Sequence, residues 1–347
     1  MGSLQIFGTA RVKFDDSVTA EELRELAKDP RVKVLQCSTP VRNEVWGALN
    51  DCFFATRPDV LLRVYSQSVC DLGFASDMTN VRRFSADCLM RANNVEAIAE
   101  IPHLESLTLD IFELQDFRVL ELLPATLTEM SLGATRSKKP DLKSLGRFRS
   151  LKRLYIEGQN KDIEVLSQLQ DLEDVTLRSV TTPDLSYLSG HGKLWSLDIK
   201  LGGIRSFKGI EGKDSIKYLE LWQIRELRDV SIIGELPGLQ YLFLQSLPHI
   251  ESLPSLVNAR ALRRIVLQNL KSLHEFSSLE TAPALEEFAL VQGDKQTPEQ
   301  LLPVLRNPRV SRVTAGLGSH RKNAAFKQFV AEHGKEYWKP VERFVFS

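Results

Sequence analysis

The residues that could carry chemistry are plentiful in this chain, but their spacing supports no reaction. Six histidines, His103, His191, His249, His274, His320 and His333, are scattered, with neither an HxxxH nor an HExxH pair to hold a metal. Residues 209–214 read GIEGKD, close to a phosphate-cradling loop. They miss the GxxxxGK[ST] spacing and put Asp214 where that loop needs a hydroxyl. Residues 316–320 read GLGSH, which supplies neither the serine elbow of GxSxG nor the three glycines of a dinucleotide loop. His249 and His274 fall near edges that a repeating fold would bring close together, but two solvated turn histidines are the simpler expectation. The cysteines Cys37, Cys52, Cys70 and Cys88 are 15, 18 and 18 residues apart, with no CxxC pair and no histidine among them. Reduced structural thiols are expected there rather than bridges or a metal centre. No catalytic residue, no metal ligand and no cofactor is assigned.

Composition excludes the extremes. The chain has 347 residues, 45 Lys+Arg against 45 Asp+Glu, and 43% hydrophobic residues. A zero net charge argues against a surface built throughout to attract phosphate backbones or anionic lipid. The apolar content is ample to bury a core, so disorder is not expected. Arg11, Lys13, Asp15 and Asp16 interrupt the N-terminal stretch, which holds no apolar run of signal-peptide length. No segment approaches the roughly 18–20 apolar residues of a membrane span, and no Asn-x-Ser/Thr sequon occurs. A cytoplasmic chain that does not engage a membrane is expected.

The elements that position these residues come from a repeat. A pattern of apolar-x-x-apolar-x-apolar starts at Leu104/Leu107/Leu109 and recurs at Leu127/Met130/Leu132, Leu151/Leu154/Ile156, Leu172/Val175/Leu177 and Leu194/Leu197/Ile199. It continues through Ile216/Leu219/Leu221, Leu239/Leu242/Leu244, Leu262/Ile265/Leu267, Leu285/Phe288/Leu290 and Val310/Val313/Ala315. The mean step is about 23 residues, a period that signals stacked copies of one small unit. Upstream, Val81/Phe84/Ala86 and Val32/Leu35/Cys37 fit the pattern. Leu62/Val64 fits it only in part, because its first position would be Asp59. Residues 41–54 have helical spacing, and residues 19–28 read as a helix with Thr19 as N-cap and Glu22 three residues on.

On these residues the chain resembles the leucine-rich-repeat proteins over roughly residues 32–317, with about thirteen repeats of which the first three are irregular. Fuller copies such as Leu142/Leu145/Phe148/Leu151/Leu154/Ile156 and Val230/Ile233/Leu236/Leu239/Leu242/Leu244 are similar to the short internalin-like repeats. The resemblance implies an α/β solenoid. Its parallel β-sheet would line the concave side of an arc, with short helices and turns on the convex side. Residues 1–31 are expected to cap the first end with a hairpin and a helix. Residues 318–347 are expected to cap the last, with a helix over Lys322–His333 and an extended segment over Glu336–Phe346. One departure concerns the column where the family places Asn. Here it holds Gln159, Val180, Gly202, Ile224, Leu247, Leu270 and Gly293, so irregular, water-assisted turns are expected on that edge.

In such a fold the residues between the strand leucines face the concave side. They are Tyr155 in one row, then Trp195, Ser196, Asp198 and Lys200, then Lys217, Tyr218, Glu220 and Trp222. The next rows are Gln240, Tyr241, Phe243 and Gln245, then Arg263, Arg264, Val266 and Gln268. Aromatic residues on a strand serve cross-strand packing as well as recognition. Trp, Tyr and Arg interleaved with acids match the composition of binding hot spots. The expected site therefore comprises Tyr155, Trp195, Asp198, Tyr218, Glu220, Trp222, Tyr241, Phe243, Gln245 and Arg264, engaging a protein partner.

Charge is segregated along the chain. Residues 96–129 are acidic, with Arg118 as the exception, and residues 136–153 are basic, with Asp141 as the exception. A solvated turn-side face is the ordinary reading, and the basic stretch lacks the interleaved aromatics of a single-strand nucleic-acid binder. The function expected is non-enzymatic protein–protein interaction, as a monomer or in a 1:1 complex. An immunity or inhibitor protein that blocks the active site of a toxin or enzyme is the sharper alternative. An enzyme or glycan-binding protein using the concave aromatics and acids is the alternative of another class.

Overall fold

The computed structural model describes residues 3–66, 69–137, 140–340 and 342–347, so Lys138 and Lys139 of the basic stretch lie outside the described residues. The chain divides into two compact units, residues 1–172 and 173–347.

The first unit opens with an antiparallel hairpin, β1 (Leu4–Phe7) and β2 (Arg11–Phe14). Helix α1 (Ala20–Ala27) follows, closed by a reciprocal box in which Glu22 N–H donates to Thr19 Oγ1 and Thr19 N–H donates to Glu22 Oε2. β2 then pairs parallel with β3 (Val34–Cys37), so the hairpin hands over directly to the repeats. Helix α2 (Asn43–Ala48) runs on into a single π-helical turn over Leu49–Phe54. It buries Val45, Trp46, Phe53 and Phe54, and Trp46 stacks on Phe74 with centroids 3.7 Å apart. That inserted element accounts for the long gap before β4 (Leu61–Ser66). After the short β5 (Cys70–Asp71) come β6 (Arg83–Cys88), β7 (Ala92–Asn93), β8 (Ser106–Ile111), α3 (Val119–Leu122), β9 (Glu129–Leu132) and β10 (Arg153–Glu157).

Register stacks the apolar triplets into columns. Leu35 lies opposite Leu62, Leu62 opposite Phe84 and Phe84 opposite Leu107, with Cys37, Val64, Ala86 and Leu109 beside them. The first position of the β4 repeat is filled by Val60, which is fully buried, while Asp59 stays exposed and pairs with Arg57. The chain is thus shifted by one residue from the even spacing that the sequence suggests. Burial pushes the Cys37 thiol up to about 12, which leaves it without thiolate character at neutral pH. Ion pairs between successive repeats join the acidic stretch to both ends of the basic stretch. Arg136 pairs with Glu113 at 2.7 Å, and both Arg83 and Arg153 reach Glu129.

The second unit continues the pattern with β11 (Asp174–Arg178), β12 (Ser196–Lys200), β13 (Tyr218–Trp222), β14 (Tyr241–Gln245), β15 (Arg264–Gln268) and β16 (Glu287–Val291). Helix α4 (Leu302–Arg306), β17 (Arg312–Ala315), α5 (His320–Glu332) and β18 (Glu336–Tyr337) complete it. Pairing is parallel from β11 to β18. Leu197, Leu219, Leu242, Ile265, Phe288 and Val313 form one buried column, and Ile199, Leu221, Leu244, Leu267, Leu290 and Ala315 the other. Short 3-10 turns such as Ser231–Glu235 cross the opposite side.

The turn after each strand from β11 to β16 is regular, against the expectation of irregular turns. Ser179, Leu201, Gln223, Ser246, Asn269 and Gln292 all hold φ between 50° and 56°, in the left-handed region. From Ser179 to Asn269 each of these residues donates its N–H to the end of the next strand, as from Leu201 to Trp222 O at 2.8 Å and from Gln223 to Gln245 O at 2.9 Å. Backbone pairing between repeats satisfies the edge that an asparagine side chain would otherwise serve. Where a polar side chain is buried it does the same work. Gln159 donates to Gly133 O, and Gln296 donates to both Leu270 O and Leu273 O.

Candidate functional site

Alternation along each strand sends one set of side chains into the leucine columns and the other to the open face of the sheet. In the second unit register aligns Ser196, Tyr218, Tyr241, Arg264 and Glu287 as one row across that face. Asp198, Glu220, Phe243, Val266 and Ala289 form the next row, and Lys200, Trp222, Gln245, Gln268 and Val291 the third. Nine of the ten residues expected to form a site thus fall in this unit, Trp195 lying one residue before β12. Tyr155 is on β10 in the other unit, its hydroxyl donating to Glu157 at 2.6 Å.

The first row is covered by the chain itself. Beyond β18, Trp338 lies over the guanidinium groups of Arg264 and Arg312, 5.0 and 5.3 Å from its ring centre. It packs with Val266 and Ala289, and Tyr241 and Phe243 border that cluster. Residues 342–347 then cross the starts of the strands from β17 towards β12. Glu342 pairs with Arg312 at 2.8 Å, and Arg264 donates to Glu342 O at 3.0 Å. Phe344 lies 5.3 Å from Tyr241, centroid to centroid, with Arg263 over its ring at 4.7 Å. Phe346 meets Trp195 at 5.3 Å and Tyr218 at 6.2 Å.

The backbone of this segment is held too. Val345 O accepts from Arg263 at 2.6 Å, and Ser347 exchanges two bonds with the Gln240 side-chain amide, at 2.9 and 3.1 Å. Lys217 Nζ donates to Ser347 O at 2.5 Å. Arg343 and Val345 face solvent, Val345 being 75% exposed. The alternation is that of an extended strand with one bound side.

Sequence reasoning placed Glu336–Phe346 as an end cap and missed Trp338, Glu342, Phe344 and Phe346 as residues of this face. β18 supplies only Glu336–Tyr337 to the sheet edge. The overlooked signal was the alternation Glu-x-Phe-x-Phe in a segment outside the repeat register.

Arg264 occupies a more buried position than a charge that steers encounter would need. It is 4% exposed, ion-paired with Glu287, and enclosed by the rings of Tyr241, Trp338 and Phe344. Glu287, 5% exposed, also takes Arg312. Burial lowers the Arg264 pKa from its ordinary value, and the two-sided pairing offsets the cost of placing that charge inside.

The second row carries a compact charge cluster. Lys200 Nζ lies 3.3 Å from Asp198 and 3.2 Å from Glu220, and Tyr218 donates to Glu220 at 2.7 Å. Burial, reinforced by Glu220, pushes the Asp198 carboxyl up to about 6. The same two causes raise the Tyr218 phenol far above its usual range. Burial works against the Lys200 charge, but Asp198 and Glu220 outweigh it and raise its pKa. In the third row Trp222 is half-buried, with Arg178 over its ring at 5.6 Å.

The near-miss motifs have structural roles. Gly209, at φ 105°, sits where a Cβ would come 2.4 Å from Leu185 O, and its N–H is taken by Glu211, so the GIEGKD turn offers no phosphate cradle. In GLGSH, Ser319 caps α5. His249 is exposed, and His274 bonds to Ser272 O at 2.9 Å. Among the described residues no group of three or more His, Cys, Asp or Glu is arranged to hold a metal, and no helix is long and apolar enough to cross a membrane.

No protein-family model matches the chain, and the search of curated proteins finds no match. Solved structures do match. An internalin, inlF, from Listeria monocytogenes str. 4b F2365 aligns with a TM-score of 0.57 and 15% identity, over 90% of this chain and 93% of that one. The structure of the TLR13–ssRNA13 complex aligns with a TM-score of 0.52 and 14% identity, over 90% of this chain and 51% of that one. At such identities the likeness is one of fold, and the fold is the one that the six-residue apolar pattern implies.

Proposed function

We propose that this chain, a leucine-rich-repeat solenoid by fold, is a non-enzymatic module that binds a partner protein on the open face of β12–β15. The observation that carries this reading is that the face already holds a length of polypeptide, residues 342–347, through rings, guanidinium groups and side-chain amides. Trp195, Tyr218, Trp222, Tyr241 and Phe243 are the anchors. Asp198, Glu220, Gln245 and Arg264 supply polar complementarity, which sets orientation more than affinity. A complex of this kind buries about 1,200–2,000 Å². Tyr155 is a separate candidate contact. A cytoplasmic setting is part of this proposal, in keeping with four cysteines spaced without any CxxC pair.

The test is capture of a partner by the wild-type chain, followed by affinity measurement with Trp222→Ala. Trp222 stands beside the region covered by residues 342–347, so its loss should weaken binding by about 2 kcal/mol or more while the melting transition stays cooperative. A partner bound equally well by both chains would remove Trp222 from the anchors.

A further inference from the structure

The segment 342–347 reports what the face is built to recognise. Its contacts divide into two kinds. Arg264, Arg263, Gln240 and Lys217 read main-chain atoms of Glu342, Val345 and Ser347, contacts that any extended peptide offers. Arg312 reads the Glu342 carboxylate, while Tyr241 with Arg263 and Trp195 with Tyr218 form two aromatic seats two residues apart along the bound strand. The outward side chains Arg343 and Val345 are exposed, so nothing specifies them. The two seated rings also touch each other, with centroids 4.9 Å apart at 74°.

Resting on the docking function just described, we propose that the partner presents an extended strand of the pattern acid-x-aromatic-x-aromatic, and that residues 342–347 are a competitor for it held in cis. The face binds that strand crosswise to β12–β17, with its acid at Arg312 and its second aromatic between Trp195 and Tyr218. Because the competing segment is tethered through Trp338, its effective concentration is on the order of millimolar. A free peptide of the same pattern therefore meets an occupied site. A partner gains access by matching the pattern and adding contacts to Trp222, Phe243 and Gln245, which the segment leaves uncovered.

The experiment uses the peptide Glu-Arg-Phe-Val-Phe-Ser, N-acetylated, titrated by calorimetry into three proteins. They are the full chain, a chain lacking residues 342–347, and the full-length double variant Phe344→Ala/Phe346→Ala. The expected result is saturable 1:1 binding to the shortened chain and to the double variant, at least about ten-fold weaker binding to the full chain, and loss of binding by a peptide with both Phe replaced by Ala. The double variant preserves the test should the shortened chain fail to fold. No binding to either altered protein, or equal binding to all three, overturns the proposal. A partner captured through Trp222 that binds the full and shortened chains equally well also overturns it, while leaving the docking function standing.

Discussion

The ring of Phe346 meets the indole of Trp195 edge to face, with centroids 5.3 Å apart and planes at 63°. A residue outside the repeats thereby closes over one inside them, and the contact is readable because tryptophan reports its own environment. Phe346→Ala should shift Trp195 emission to the red and cost about 1–2 kcal/mol, the sum of one aromatic pair and part of a buried ring. Val345→Ala, next to it but facing solvent, should change neither by more than about 0.5 kcal/mol. Emission that is identical in Phe346→Ala and wild type would mean that the segment does not lie on the face in solution.

Glu287 is the keystone of the covered row, since Arg264 and Arg312 both depend on it. Glu287→Ala leaves the Arg264 charge buried without its counterion, which should cost about 3–5 kcal/mol in urea denaturation. Replacing both members, Arg264→Met with Glu287→Met, should recover most of that loss, because no buried charge is then left unpaired and the partly exposed Arg312 keeps Glu342. A double variant no more stable than Glu287→Ala would show that the loss comes from packing and not from the stranded charge.

Asp198 gives the unit a pH dependence of definite sign. Its carboxyl titrates near 6 in the folded chain and near 3.9 when unfolded. The folded state therefore holds the proton over the interval between. Stability from this group is fully present below about pH 4 and is lost as pH rises through about 6, an effect on the order of 2–3 kcal/mol. Asp198→Asn cannot titrate, so its stability relative to wild type should rise by that amount between pH 4 and pH 7. A constant difference across the interval would show that Asp198 ionises as it does in water.

The leucine columns were legible because burial on one side of a strand leaves a period that survives substitution of Ile, Val, Met or Phe. The one-residue shift at Val60 was not, since Asp59 and Val60 are adjacent and the helical insert Asn43–Phe54 removes the spacing that would decide between them. The open-face rows followed from the same alternation: Tyr218 and Arg264 both touch Tyr241, while Trp195 and Tyr218 share the ring of Phe346. What covers them could not be read from spacing. Phe344 and Phe346 contact residues about 100 to 150 positions away in sequence, and long-range pairing leaves no periodic trace. The regular left-handed turns escaped notice for a different reason. Leu201, Gln223 and Ser246 are not residues that announce positive φ, and they hold it because each N–H is claimed by the next strand.

Two neighbours in β14 separate the roles of the two faces. Leu242 is fully buried between Leu219 and Ile265 in the column, so Leu242→Ala opens a cavity among rigidly stacked repeats and should cost about 2–5 kcal/mol. Phe243 is larger but lies half-buried on the open face, where its ring borders Val266, Ala289 and Trp338. Phe243→Ala removes contacts that solvent can replace, and should cost less than Leu242→Ala despite deleting more atoms. The order reverses for partner binding, where Phe243→Ala should weaken affinity and Leu242→Ala, measured on the folded fraction, should not. Denaturation and binding measured on the same pair decide the point: a stability loss larger for Phe243→Ala would place that ring in the core rather than on the docking face.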